Sequence, residues 1–215
     1  TLEKCKIVLT KQAEEMGVLD QPSTTILERD FFVPLIQKGI INYNTPIEII
    51  GTLKYDGISV EADCTDEIIG ARTRGDTDYN LATDLTPILG GYKFPNAPKL
   101  DKPIGIKFEA IILYDDLQEV NKFFGTSYIN GRTAIIGLTS SSSSRKLRDY
   151  ITLVPIQVDF GSDTPKPDRL TEIEFLNKYY ANREYLRYVC FNETYTNLLF
   201  LIKKYVEEAE YFRIW

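Results

Sequence analysis

The stretch IIGTLKYDGISVEA, residues 49–62, decides how the rest of the chain is read. Apolar residues run up to Lys54, Asp56-Gly57 is a turn-forming pair, and Ile58, Val60 and Ala62 resume an every-second-residue pattern. This predicts a strand over 47–55, a tight turn, and a second strand over 58–63. The turn would present Lys54 at its lip with a carboxylate two residues on. An amine held there is suited to attack on a phosphate or a carbonyl. An ordinary hairpin with Lys54 as a solvated surface charge fits the same residues. Asp56 likewise has two readings: it orients Lys54 or a metal-bound water, or it is there because Asp-Gly makes the turn.

Upstream, Thr25-x-x-Glu28 has the form of a capping box ahead of Phe31, Phe32, Leu35 and Ile36, whose spacing suits one helix face, with Gly39 as the stop. Residues 1–46 are therefore expected to form a helical segment. Downstream, a strand over 67–74 runs into Gly75-Asp76. IGIKFEAIILY, residues 104–114, is the clearest strand in the chain, with Ile104, Ile106 and Phe108 on one face and Lys107, Glu109 and Ile111 on the other. Helices are expected over 117–124 and 132–138. The serine run 140–144 reads as a loop, and a further strand covers 153–160. After the punctuated connection GSDTPKPD, Thr171-x-x-Glu174 repeats the capping-box pattern. Asn192 is a candidate cap for an amphipathic helix with Leu198, Leu199, Ile202, Tyr205 and Val206 inward. The class is α+β with an antiparallel-leaning sheet, a core over 47–160, and a linker with C-terminal helices over 161–215.

Composition bounds the chemistry. The 215 residues are 43% hydrophobic and 26% charged, as expected of a water-soluble fold, and no apolar run is long enough to span a membrane. Three widely spaced cysteines, Cys5, Cys64 and Cys190, signal neither a disulfide framework nor a zinc site and suggest a reducing compartment, here the cytoplasm. Histidine is absent, which removes Ser-His and Cys-His catalysis and leaves Lys, Asp, Glu, Tyr and Arg to act. A net charge of −6 argues against strong non-specific nucleic-acid binding, while a local basic patch stays compatible with it.

Taken together, four segments resemble the adenylation (nucleotidyltransferase) domain of NAD-dependent DNA ligases. Lys54-Tyr55-Asp56-Gly57 matches the family's K-x-D-G. Thr73-Arg74-Gly75-Asp76 matches its T-R-G-D, followed by a similar run over 81–88. The strand 105–109 resembles its E-V-R-G-E and ends on Glu109, and Asn130-Gly131-Arg132-Thr133-Ala134 resembles the start of its N-P-R-N-A-A-A-G helix. The resemblance covers about residues 47–160 and implies an ATP-grasp-like ligase fold, with antiparallel sheets flanked by helices.

It further implies that Lys54 is the nucleophile that becomes AMP-lysine, with Asp56 beside it and Arg74, Glu109 and Arg132 binding the cofactor. NAD would be the AMP donor, with ATP as the alternative, and Mg²⁺ would assist. The partner would be nicked double-stranded DNA, in replication or repair, in a bacterial or virus-infected cell. Phosphoryl transfer of this kind rests on positioning and charge stabilisation and needs no histidine. Thr52 stands where the family has a glutamate and Ile156-Gln157 where it has a tyrosine stacked on adenine, a place Tyr55 could take over. The sequence stops before the family's last lysine motif, so either it is a piece of a longer protein or a second ligase subunit carrying the remaining motifs is a partner. A degenerate, non-catalytic ligase-like subunit and an ATP-dependent polynucleotide ligase are the alternative readings.

Overall fold

The computed structural model describes residues 28–73, 82–141, 145–161 and 164–204, save 196, 199 and 203. The described chain forms α+β structure built on two antiparallel sheets. It falls into two compact units, one holding the described residues up to Lys54 and from Tyr188 onward, the other running from Tyr55 to Arg187. These boundaries differ from the expected divisions after 46 and after 160.

In the first unit, β1 (Pro46–Thr52) pairs antiparallel with β6 (Tyr188–Thr194), from Pro46↔Thr194 to Thr52↔Tyr188. A π-turn over Glu28–Phe32 leads into the short helix α1 (Val33–Gln37), which ends at Gly39 in the left-handed region, φ 67°. Phe32, Tyr195 and Leu198 form the buried centre of this unit, with Ile36, Ile47, Ile49 and Ile202 packed around them. The stop at Gly39 follows the sequence, but Phe31 is 51% exposed and does not share the buried face with Phe32. The residues following β6 are helical from Tyr195, while Asn192 lies within β6 and is not the cap. An alternating Tyr188-to-Thr194 segment extends along β1 because ladder partners were available to it, which its local sequence does not announce.

The second unit is a four-stranded antiparallel sheet in the order β3-β2-β4-β5, comprising β2 (Ile58–Cys64), β3 (Ile68–Thr73), β4 (Ile104–Ile112) and β5 (Ile151–Asp159). The alternation of β4 is seen as anticipated: Ile106, Phe108, Ala110 and Ile112 are buried in the core. Phe94 stacks on Phe108 at 5.7 Å and meets Tyr180 edge-on at 5.2 Å, so one aromatic cluster fills the middle of that core. Outside the ladder, the β3 edge is closed by the incoming chain, where Thr73 N–H donates to Thr83 and Leu85 N–H to Ala71. Just beyond lies the one-turn helix α2 (Thr86–Leu89).

Helices α3 (Tyr114–Phe124) and α4 (Gly131–Ser141) follow β4, a little longer than their predicted spans. The serine run is in part helical, since α4 includes Ser140 and Ser141, and a 3₁₀ turn over Arg145–Asp149 precedes β5. Helix α5 (Arg169–Tyr179) starts at Asp168, whose side chain accepts from Thr171 N–H, so Asp168 and not Thr171 is the cap. Glu172, only 2% exposed, accepts Val158 N–H at 2.9 Å and pairs with Arg169 at 2.6 Å, joining α5 to β5.

The expected hairpin of 47–55 with 58–63 is not formed. β1 pairs with β6 and β2 pairs with β3 and β4, so residues 53–57 are a connector between two sheets. Gly57 has a negative φ; its place is set by crowding, because a Cβ there would run into the Ala110 carbonyl oxygen and come within 2.7 Å of Ile111 Cγ2.

Candidate functional site

Gly57, the last residue of the connector, lies against Ala110 and Ile111 of β4. Gly57 N–H donates to Glu109 Oε1 at 3.1 Å, across strands whose register sets Ile58 opposite Ala110 and Ser59 opposite Glu109. A glutamate on the polar face of β4 thus reaches the backbone where β2 begins, and it does so because the pleat turns every second side chain of β4 to that face.

Helix α4 supplies the third component. Asn130 Oδ1 accepts Thr133 N–H at 2.9 Å, which caps the helix. Gly131 allows its backbone to lie against β4, since a Cβ on it would sit 2.5 Å from the Ile112 carbonyl oxygen. Arg132, the next residue, points its guanidinium at Asp56, Nη1 to Oδ1 3.3 Å. Tyr55, Asp56, Ile111, Ile112, Asn130, Gly131 and Arg132 line one cleft of about 40 Å³. That is room for a few waters, so a nucleotide would lie over the cleft and not within it.

Charge in this group is uneven. Burial raises the Glu109 carboxyl above the ordinary carboxylate value, and Asp56 adds to the rise, while the Gly57 N–H, Arg132 and Lys107 act against it. Tyr55 is 6% exposed and its hydroxyl donates to the Tyr185 carbonyl at 2.8 Å. Burial, with Glu184 adding, pushes its phenol up to about 12. Tyr55 is therefore committed to packing and is not free to stack on a base.

Of the residues singled out from sequence, Asp56, Glu109 and Arg132 come together here. Lys54 is exposed and is the last residue of the first unit before Tyr55 begins the second. Arg74 lies outside the described residues. The Tyr55–Tyr185 bond escaped the sequence reading because its partner is 130 residues away and no local pattern signals it.

For a magnesium ion the fit is partial. Among the described residues there is no cluster of three or more metal-ligating side chains. Asp56 and Glu109 supply two carboxylates, and a magnesium that retains waters and substrate phosphates uses one or two. Among the described residues, no helix is long and apolar enough to cross a membrane. Neither a protein-family model nor a curated protein matches the chain.

Proposed function

We propose that this chain is the adenylation part of a polynucleotide ligase, in which Lys54 accepts AMP from NAD and passes it to a DNA 5′-phosphate at a nick. The observation that carries this reading is the Glu109–Gly57 hydrogen bond, which fastens Gly57, three residues after Lys54 in the chain, to β4 while Arg132 pairs with Asp56. Three motifs distant in sequence thereby supply one patch in which a guanidinium and two carboxylates adjoin the residues that follow Lys54.

In the first step the Lys54 amine, having lost a proton, attacks the α-phosphorus of NAD. A P–N bond forms, the P–O bond to nicotinamide mononucleotide breaks, and that mononucleotide leaves. In the second step a DNA 5′-phosphate oxygen attacks the same phosphorus, breaking the P–N bond and returning the amine. In the third a 3′-hydroxyl attacks the activated 5′-phosphorus, forms the phosphodiester and releases AMP. Arg132 suits the negative charge that accumulates on phosphate oxygens, since its planar fork donates to two oxygens at once. A bound Mg²⁺ would supply further charge neutralisation beside Asp56 and Glu109.

Intact-mass spectrometry after incubation with Mg²⁺ and either NAD or ATP tests it, with Lys54→Ala alongside. An AMP-sized adduct that requires Lys54 supports the reading, and the donor that yields it separates the NAD-dependent from the ATP-dependent enzyme. Absence of an adduct from both donors overturns it in favour of a non-catalytic ligase-like subunit.

A further inference from the structure

Arginines in this structure are almost all matched to a carboxylate. Among the described residues Arg29 pairs with Asp30, Arg72 with Glu61, Arg132 with Asp56, Arg169 with Glu172, Arg183 with Asp116 and Arg187 with Glu184. Arg145 and Arg148 are the exceptions, and both stand in the 3₁₀ turn Arg145–Asp149. Three residues complete one turn of such a helix, so the two guanidinium-bearing positions lie one above the other on one side of it. Arg148 donates to the Gly90 carbonyl at 3.3 Å, and Arg145 is exposed.

The residue between them extends the patch. The Lys146 ammonium lies 5.0 Å from the centre of the Phe123 ring, and Phe123 is itself 50% exposed, next to the exposed Lys122 at the end of α3. Tyr150 is a tilted neighbour of the same ring, 6.3 Å from Phe123 between ring centres. In a chain of net charge −6, this turn carries Arg145, Lys146 and Arg148 against the single carboxylate of Asp149, and with the exposed Lys122 and the half-exposed Phe123 ring it is a local reversal of sign. Folding does not need such a reversal, since unlike charges were available and six other arginines found them.

We infer that the 3₁₀ turn Arg145–Asp149 and the end of α3 form a surface that binds the phosphodiester backbone of a nucleic acid. The chemistry that fits is a chain of closely spaced anionic phosphates with flat bases and sugars. Flexible cations take the phosphates and the Phe123 ring offers an apolar face to what lies between them. The inference deepens the proposed function by naming where the polynucleotide is gripped, and it rests on that reading for the choice of polyanion.

Fluorescence anisotropy of a labelled nicked duplex against a salt series tests the surface, with wild type, Arg145→Gln/Lys146→Gln and Lys102→Gln/Lys166→Gln compared. The two double variants lose the same charge; Lys102 and Lys166 are exposed elsewhere. Loss of Arg145 and Lys146 should weaken binding about tenfold and lower the slope of log affinity against log salt by about 2, while the control shifts by less than about twofold. Equal effects in both variants, or a wild-type chain that does not bind the duplex, overturn the inference. A poly-glutamate probe that loses binding where DNA does not assigns the surface to an acidic protein and also overturns it. Lysyl-AMP formation, measured on the same samples, should be unchanged in the variant. Failure of wild type to form the adduct removes the ligase reading while the anisotropy result stands by itself.

Discussion

Gly57 and Ala110 are in such close backbone contact that a Cβ on Gly57 would overlap the Ala110 carbonyl oxygen, and this approach lets the Gly57 N–H reach Glu109. The glycine of the Lys54–Gly57 segment is thus required by the neighbouring strand and not by a turn.

Gly57→Ala should therefore force β2 and β4 apart where they begin to pair. Overpacking of this kind costs about 1–3 kcal/mol, and both obstructing atoms belong to a central strand with little room to yield. Urea denaturation of the variant should show the lower midpoint; an unchanged midpoint would mean that the connector adapts without disturbing the sheet.

Glu109→Gln separates burial from hydrogen bonding at the same site. In the unfolded chain Glu109 titrates near 4.5, and in the fold it titrates higher because burial disfavours its charge. Between the two values the folded state holds the extra proton, so the stability linked to Glu109 is present at low pH and lost as pH rises through the folded value. Glutamine keeps a carbonyl for Gly57 N–H and abolishes that dependence. Its denaturation midpoint should gain on wild type as pH goes from about 4 to about 7, and a difference that shrinks over this range would contradict burial as the main cause.

Arg132→Ala should cost little stability and, on the proposed function, much activity. The ion pair with Asp56 joins side chains that are 50% and 44% exposed, and exposed pairs contribute less than about 1 kcal/mol. If Arg132 faces phosphate oxygens in the reaction, the rate of lysyl-AMP formation should fall at least about tenfold with the thermal midpoint nearly unmoved. Equal adduct formation in variant and wild type would remove Arg132 from the site.

Glu172→Ala should act in the opposite sense, on folding alone. It would strand the Val158 N–H that Glu172 accepts at 2.9 Å and leave Arg169 without its partner. An unsatisfied buried group costs about 1–3 kcal/mol, which calorimetry would read as a lower midpoint. On the proposed function, lysyl-AMP formed per folded molecule should stay the same.

The strands β2, β3, β4 and β5 and the helices α3 and α4 could be read from period and punctuation, because each is a local pattern of apolar residues ended by glycine, proline or a polar run. The residues of the candidate site, Asp56, Glu109 and Arg132, were legible through the resemblance of their segments to ligase motifs, and periodicity added only the strand face that carries Glu109. Pairing was not. Asp56-Gly57 carries the local signature of a hairpin, yet β1 found β6 about 140 residues later, and Tyr55 found the Tyr185 carbonyl. Local chemistry determines which segments extend or coil and which side chains share a face. Only the folded chain decides which distant strand completes a ladder and which buried donor meets which acceptor, because those choices depend on contacts that no short stretch of sequence contains.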